Sequence, residues 1–350
     1  MCPDLDIQKT LEQLCALPGP SGFEQKAAKG AMELLRPLVD EVYTTRLGSV
    51  VGVRRCGKAG AAKLLLDAHV DEIGILVTGH EDGFARFRTL GGVDPRMLCD
   101  REMTLLTDPP TFGVVACLPP HVQTAEDMDK STPVSELYLD VGLSSDEVKK
   151  RVPIGTPGVF RGGCAPLGED QCCGKALDDR ACMTAILRSL ELLQGKDLDV
   201  DLYVLSSTQE ETSSAGAITA VNAIAPDICV AVDVTHGRTP DGPKDKTFDL
   251  GGGPAIGMGP NMSRTLTQQL VYLAKQECID HHIEVMSGHT GTNAWPMQIC
   301  REGIATAVVS LPLKYMHTPV EAISRTDLDS TAKLLAAFAA HAGKEDGHAQ

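Results

Sequence analysis

The sequence predicts an α/β protein: a mostly parallel sheet flanked by helices, with a small β-barrel inserted into it. Three observations carry that expectation. Leu64-Leu65-Leu66 is a solid apolar block of strand length, as expected for a strand covered on both faces. From about Ala176 onward, helix-like and strand-like stretches alternate, the pattern of helices packed on a parallel sheet. Between these regions, from Ile75 to about Gly163, short strand-like pieces are broken by Gly and Pro, the texture of a compact all-β unit. The expected division is an α/β domain of residues 1–74 and 164–350, interrupted by a barrel of residues 75–163.

The elements follow in order. Leu5, Leu11, Leu14 and Leu17 form the apolar stripe of a first helix, which stops at the turn Pro18-Gly19-Pro20-Ser21-Gly22. A second helix runs from about Glu24 to Leu38, followed by strands near Val50–Arg54 and Lys63–His69. Gly83, Gly91-Gly92, Asp108-Pro109-Pro110 and Pro119-Pro120 punctuate the insertion. The alternating region then offers a helix from Ala176 to Leu193, a strand at Leu202–Ser206 and a helix from about Ala215 to Ala223. A strand at Ile228–Val232, a helix at Arg264–Cys278, a strand near Ile304–Ser310 and a closing helix at Asp327–His341 complete it. No internal repeat is visible.

Composition excludes several classes. The chain has 350 residues, 43% of them hydrophobic, enough for one large domain or two ordinary ones. Its 32 basic and 47 acidic residues leave a net charge of −15, which argues against a nucleic-acid-binding surface. No stretch approaches the roughly 18 to 20 apolar residues of a membrane span. Met1–Lys9 is polar rather than signal-like, so the expected compartment is the cytoplasm. The twelve cysteines are scattered, no CxxC occurs, and Cys15, Cys117, Cys229 and Cys300 lie in apolar runs. They are expected to be reduced core thiols.

Sites on open α/β sheets gather where strands end at their carboxyl edges. The strand through Leu64–Leu66 leads into Asp67-Ala68-His69-Val70-Asp71-Glu72, and the next helix begins at Asp178-Asp179-Arg180. Leu202–Ser206 exits into Gln209-Glu210-Glu211, Ile228–Val232 into Asp233, and the last strand is followed by Tyr315-Met316-His317-Thr318-Pro319. Each segment alone has a bland origin: a polar pair, a helix N-terminus, a solvated loop, a turn residue. Together they deliver His or carboxylate from five segments to one edge. Imidazole and carboxylate suit divalent transition metals, and two ions about 3.5–4 Å apart need one shared carboxylate with terminal ligands on each side. His69, Asp178, Glu211, Asp233 and His317 supply that number. Glu210, adjacent to a ligand, is placed to take a proton from water, and Asp71 to accept the imidazole N–H of His69. His80, His121, His236, His281, His282 and His289 lack an equally placed carboxylate and read as surface or interface residues.

Ala68-His69-Val70-Asp71-Glu72-Ile73-Gly74, Lys175-Ala176-Leu177-Asp178-Asp179-Arg180, Glu210-Glu211, Asp233-Val234-Thr235 and Tyr315-Met316-His317-Thr318-Pro319-Val320-Glu321 occur in a recognisable order. In this the chain resembles the glutamyl aminopeptidase and tetrahedral aminopeptidase family of dinuclear metallopeptidases. The likeness includes Pro18–Glu24, Gly91-Gly92-Val93-Asp94-Pro95-Arg96 and Pro119-Pro120-His121. It implies a peptidase domain interrupted by a barrel used in assembly, and homo-oligomers from dimers to hollow twelve-subunit particles. It further implies two divalent ions per subunit, zinc or cobalt. His69 and Asp233 would bind separate ions, His317 and Glu211 would complete the two sites, and Asp178 would bridge. Glu210 would be the general base, Asp71 the support of the ligand histidine, and Asp178-Asp179 a cis peptide. Two positions depart from the pattern, Lys314 in place of Arg and Asn293 in place of Asp, and both are expected to bear on substrate preference.

The implied reaction is removal of N-terminal residues from short peptides. Competing readings are a dinuclear-metal hydrolase of acylated amino acids, a glycoside hydrolase using two opposed carboxylates without metal, and a metal-stabilised scaffold with closed coordination sites.

Overall fold

In the computed structural model, residues 5–122 and 131–343 are described. Of the polar stretch Met1–Lys9, residues 1–4 therefore lie outside the described residues. Two helices, Ile7–Ala16 and Gln25–Leu35, precede strands β1 (Glu41–Thr44), β2 (Val50–Arg54) and β3 (Lys63–His69). The aliphatic run in β3 is fully buried because the strand lies in the interior of the sheet, with side chains covered on both faces.

The chain then leaves the sheet. Strands β4 (Gly74–Glu81), β5 (Phe84–Leu90), β6 (Glu102–Leu105), β7 (Thr111–Ala116), β8 (Tyr138–Asp140) and β9 (Pro157–Phe160) close an antiparallel barrel in the order β4-β5-β8-β7-β6-β9. Alternate residues such as Ile75 and Val77, Met103 and Leu105 fill its interior with Phe87, Val115, Leu139 and Phe160. Closure leaves no free strand edge, which suits a unit made of short, Gly- and Pro-broken pieces.

The chain re-enters through the hairpin β10 (Cys164–Leu167) and β11 (Gln171–Gly174) and continues with β12 (Asp201–Ser207), β13 (Ile228–His236), β14 (Ala255–Met258), β15 (His282–Val285), β16 (Ala305–Lys314) and β17 (Glu321–Ser324). Among the described residues, eleven strands make one sheet in the order β1-β2-β12-β3-β13-β16-β17-β11-β10, with β14 on β16 and β15 on β14. The parallel core is β12-β3-β13-β16, and antiparallel strands extend it on both sides. Several of these extensions escape sequence patterning: β1 and β10 are mostly exposed and carry no apolar alternation.

The helix Leu177–Leu192 is buried on nearly every side, between the sheet and the closing helix Arg325–His341. The closing helix starts at Arg325, because Ser324 Oγ caps it by accepting the Asp327 N–H at 3.1 Å. Strands β13 and β16 pair in register as far as His236 and Leu313. Asp233 consequently lies within a strand, opposite Ser310, rather than after its end. No helix among the described residues is long and apolar enough to cross a membrane.

Cys164 and Cys172 form a disulfide rather than remaining core thiols. They are eight positions apart in sequence, but the hairpin register sets Cys164 opposite Gly174 and Pro166 opposite Cys172, so the two cysteines are diagonal neighbours. Cys15, Cys229 and Cys300 are buried free thiols as expected, whereas Cys117 is half-buried with its sulfur 3.4 Å from that of Cys99.

Candidate active site

The four parallel core strands run in one direction, so their carboxyl ends share an edge of the sheet. His69 ends β3 in register with Ser207, three residues before Glu210. Asp233 comes from β13 and His317 from the turn after β16, while Asp178 and Asp179 open the buried helix. His69, Asp178, Glu210, Glu211, Asp233 and His317 line a single cleft of about 510 Å3.

Asp178 is the hub. Its Oδ1 lies 3.0 Å from Nε2 of His69 and its Oδ2 lies 3.4 Å from Nε2 of His317. One carboxylate thus presents one oxygen to each imidazole. Glu211 approaches the same His317 nitrogen at 3.5 Å, and Glu210 lies 4.0 Å from His69 Nε2. Donor atoms of His69, Asp178 and Glu211 lie within 4.8 Å of one another, as do those of His69, Asp179 and Asp233. His69 and Asp233 therefore share one candidate cluster, which favours a common ion over the separate ions that the resemblance implies. The cause is the pairing of β13 directly with β3, which brings Asp233 alongside His69. Asp178-Asp179 is a cis peptide.

Backbone and buried side chains aim these groups. His69 directs Nδ1 at the carbonyl of Asp71 at 3.1 Å, with the Asp71 carboxylate farther off at 3.5 Å. The same carboxylate has two further partners: Oδ1 accepts the backbone N–H of Glu210 at 3.0 Å and Oδ2 that of Glu211 at 3.1 Å. Asp71 caps the short helix Glu210–Ser213, an effect visible only once two distant segments meet. Glu24 accepts the N–H of Gln209, tying the Pro18–Glu24 turn to the same loop.

The sequence marks Glu321 only as the last residue of the His317 motif. It is buried and accepts N–H groups from both Asp178 and His317, at 3.1 and 3.0 Å. Gly92 offers its carbonyl to His317 Nδ1 at 3.0 Å, and a Cβ at Gly92 would lie 2.7 Å from that nitrogen. The glycine is thus required by close approach. Glu72, also buried, binds Lys175 Nζ at 2.7 Å, Arg180 at 3.2 Å and the N–H of Gly19. This ionic cluster joins the first turn, the exit of β3 and the start of the helix bearing Asp178.

Asn293 and Lys314 are not among the residues lining the cleft. Asn293 is buried beneath it, where Nδ2 donates to Asp67 Oδ2 at 2.8 Å and to Ser207 Oγ at 2.9 Å. Any influence on a charged substrate group is therefore indirect. Asp67 shares a strand face with His69, a period-two relation that the sequence does display. His289, read above as a surface or interface residue, is exposed but lines the cleft, its ring centroid 4.6 Å from that of Trp295.

Electrostatics follow from crowding in a dry place. Burial lifts Glu210 to about 7 and Glu211 to about 8, with the Asp178 charge adding to both. Burial also drives Asp179, Asp233 and Glu321 well above the ordinary carboxylate range. Asp178 goes the other way: burial opposes its charge, but hydrogen bonds from His317 and His69 hold its pKa below the usual range. The hydrogen bond to Asp178 pushes His317 up to about 10. Burial disfavours charge on His69, yet its bonds to Asp178 and Asp71 hold it well above the imidazole range. Lys175 and Arg180 are committed to Glu72, so the carboxylates of the cluster, which outnumber its two imidazoles, remain available as oxygen donors. Oxygen and imidazole donors of that kind fit divalent transition cations.

A helix-flanked sheet with an imidazole and carboxylate cluster on its carboxyl edge, interrupted by a closed barrel, is the build of a hydrolase of the metallo-aminopeptidase class. The chain belongs to the M42 glutamyl aminopeptidase family, whose model matches residues 48–334. It is 35% identical to the lysyl aminopeptidase of Pyrococcus furiosus over 94% of its length and 95% of that protein. Its structure is similar to an aminopeptidase from the archaeon Desulfurococcus kamchatkensis, with a TM-score of 0.89, 34% identity, and coverage of 96% of this chain and 95% of that one. The TET1 peptidase of Pyrococcus horikoshii, described as assembling into a tetrahedron or an octahedral shell, matches with a TM-score of 0.83 at 27% identity, over 95% of this chain and 99% of that one. The protein is therefore an aminopeptidase.

Proposed function

We propose that the enzyme removes residues one at a time from the N-termini of short peptides, and that it holds two divalent cations, zinc or cobalt. His69 and Asp233 would hold one, His317 and Glu211 the other, with Asp178 shared. The observation that supports this most is the single Asp178 carboxylate offering one oxygen to each imidazole. Such cations, when bound, supply Lewis acidity toward a peptide carbonyl and lower the pKa of water towards neutrality.

The remaining chemistry belongs to the chain. Glu210, which burial lifts to about 7 in the metal-free site and which lies 4.0 Å from His69 Nε2, is placed to accept a proton and return it to the leaving amine. Asp71 holds Glu210 and Glu211 through their backbone N–H groups and helps orient His69. The carboxylates that line the cleft attract a free ammonium, which favours an exposed peptide terminus over an internal bond.

The barrel, residues 75–163, is proposed as an assembly module and the protein as a homo-oligomer, by likeness to the TET1 peptidase. The cytoplasm is the proposed compartment, supported by nine free thiols among the described cysteines. The deciding experiment is a panel of aminoacyl-anilides assayed with zinc, cobalt and manganese, before and after chelation. Chelation should abolish hydrolysis, and one of these metals should restore it. Full activity in excess chelator, with no bound metal by elemental analysis, would refute the proposal.

A further inference from the structure

The cleft is also lined by aromatic and apolar groups, which form a wall outside the acidic cluster's own ligand set. His289 and Trp295, the sole tryptophan of the chain, lie ring against ring, with centroids 4.6 Å apart and planes inclined at 33°. Pro296, Val234 and Met316 line the same cleft, which is the one that holds Asp178 and Glu210. Trp295 is half-buried.

The wall is also anchored. The buried amide of Asn293, two residues before Trp295, donates to Asp67 on β3 and Ser207 on β12. These are the strands that deliver His69 and lead to Glu210, so the aromatic pair is tied to both reacting edges of the cleft.

Charge narrows what this wall accepts. Among the described residues, no Lys or Arg lines the cleft, and the carboxylates that do are Asp178, Glu210, Glu211 and Asp233, all in the cluster. A glutamate or aspartate side chain would be desolvated there without a cationic partner, and a lysine or arginine without a free carboxylate. A flat apolar group would gain both burial and ring stacking. We propose that His289 and Trp295 recognise the first side chain of the peptide, and that the enzyme prefers a large apolar N-terminal residue, an aromatic one above all. This rests on the aminopeptidase reading and adds the substrate class to it.

The test is kcat/KM for Phe-, Leu-, Ala-, Glu- and Lys-p-nitroanilides with the metal-loaded enzyme. Phe and Leu should exceed Glu and Lys by roughly tenfold or more, as expected for burying an unpaired charge against an apolar wall. Trp295→Ala should lower the Phe-to-Ala ratio by roughly tenfold, and Trp295→Phe should restore most of it. His289→Ala, at an exposed position, should lower the same ratio less and carries the test should Trp295→Ala not fold. A preference for Glu or Lys, or a Phe-to-Ala ratio unmoved in these variants, would overturn the proposal while leaving the enzyme an aminopeptidase. Hydrolysis of none of the anilides would overturn the aminopeptidase reading and the wall with it.

Discussion

Replacing Asp71 by Asn is the most incisive perturbation of the site. The side chain is fully buried and keeps its shape, but one oxygen becomes an NH2 group. In the native site both oxygens are occupied, by the N–H groups of Glu210 and Glu211. In the variant one of those donors faces another donor, and an unsatisfied buried donor costs about 1–3 kcal/mol. The short helix Glu210–Ser213 can relieve this only by shifting, which moves the carboxylates of Glu210 and Glu211 relative to His69 and His317. If the whole penalty appears in the transition state, kcat/KM falls roughly 5- to 150-fold. Loss of the negative charge near His69 should also weaken metal binding, by about 10- to 100-fold where such supporting carboxylates are removed. The assay is kcat/KM on an aminoacyl-anilide at saturating metal, paired with chelator competition for metal affinity. Unchanged values of both, within twofold, would refute the role assigned to Asp71.

Other outcomes follow from the same geometry. Glu210→Gln should lower kcat by roughly 10²–10⁴ with metal content unchanged by elemental analysis; retention of most activity would show that the base is another group. Glu72→Gln leaves Lys175 and Arg180 buried without their shared partner, which should cost about 3–5 kcal/mol and lower Tm by roughly 4–7 °C for a chain of this length in a calorimetric scan. Gly92→Ala places a methyl group against His317 Nδ1, so metal affinity should fall while Tm of the chelated protein holds; an unaffected affinity would contradict the close approach. In the metal-free protein, Glu210 and Glu211 keep protons in the folded state that they lose near pH 4.5 when unfolded, and His317 behaves likewise above pH 6.5. Their stabilisation is present at low pH and lost as pH rises through about 7, 8 and 10, so Tm after chelation should decline from pH 5 to pH 9. A Tm that rises across that range would contradict the protonation states described.

The sequence by itself determined the parallel core, the inserted barrel and the candidate ligands. Those features are local: a run such as Leu64–Leu66 needs cover on both faces wherever it lies, and residues that follow parallel strands must emerge on one edge. Tertiary structure alone decided the rest, because it depends on distances between segments far apart in the chain. Asp71 and Glu210 are separated by more than a hundred residues, and nothing near either one signals that a carboxylate caps the other's helix. The same is true of Glu321 beneath Asp178 and His317, and of Glu72 between Lys175 and Arg180. His289 offers no nearby carboxylate and so carries no local mark of a site; only the fold brings it and Trp295 to the cleft that holds Asp178. Chemistry-bearing residues at strand ends are legible one at a time, but the contacts that aim them arise when the sheet assembles.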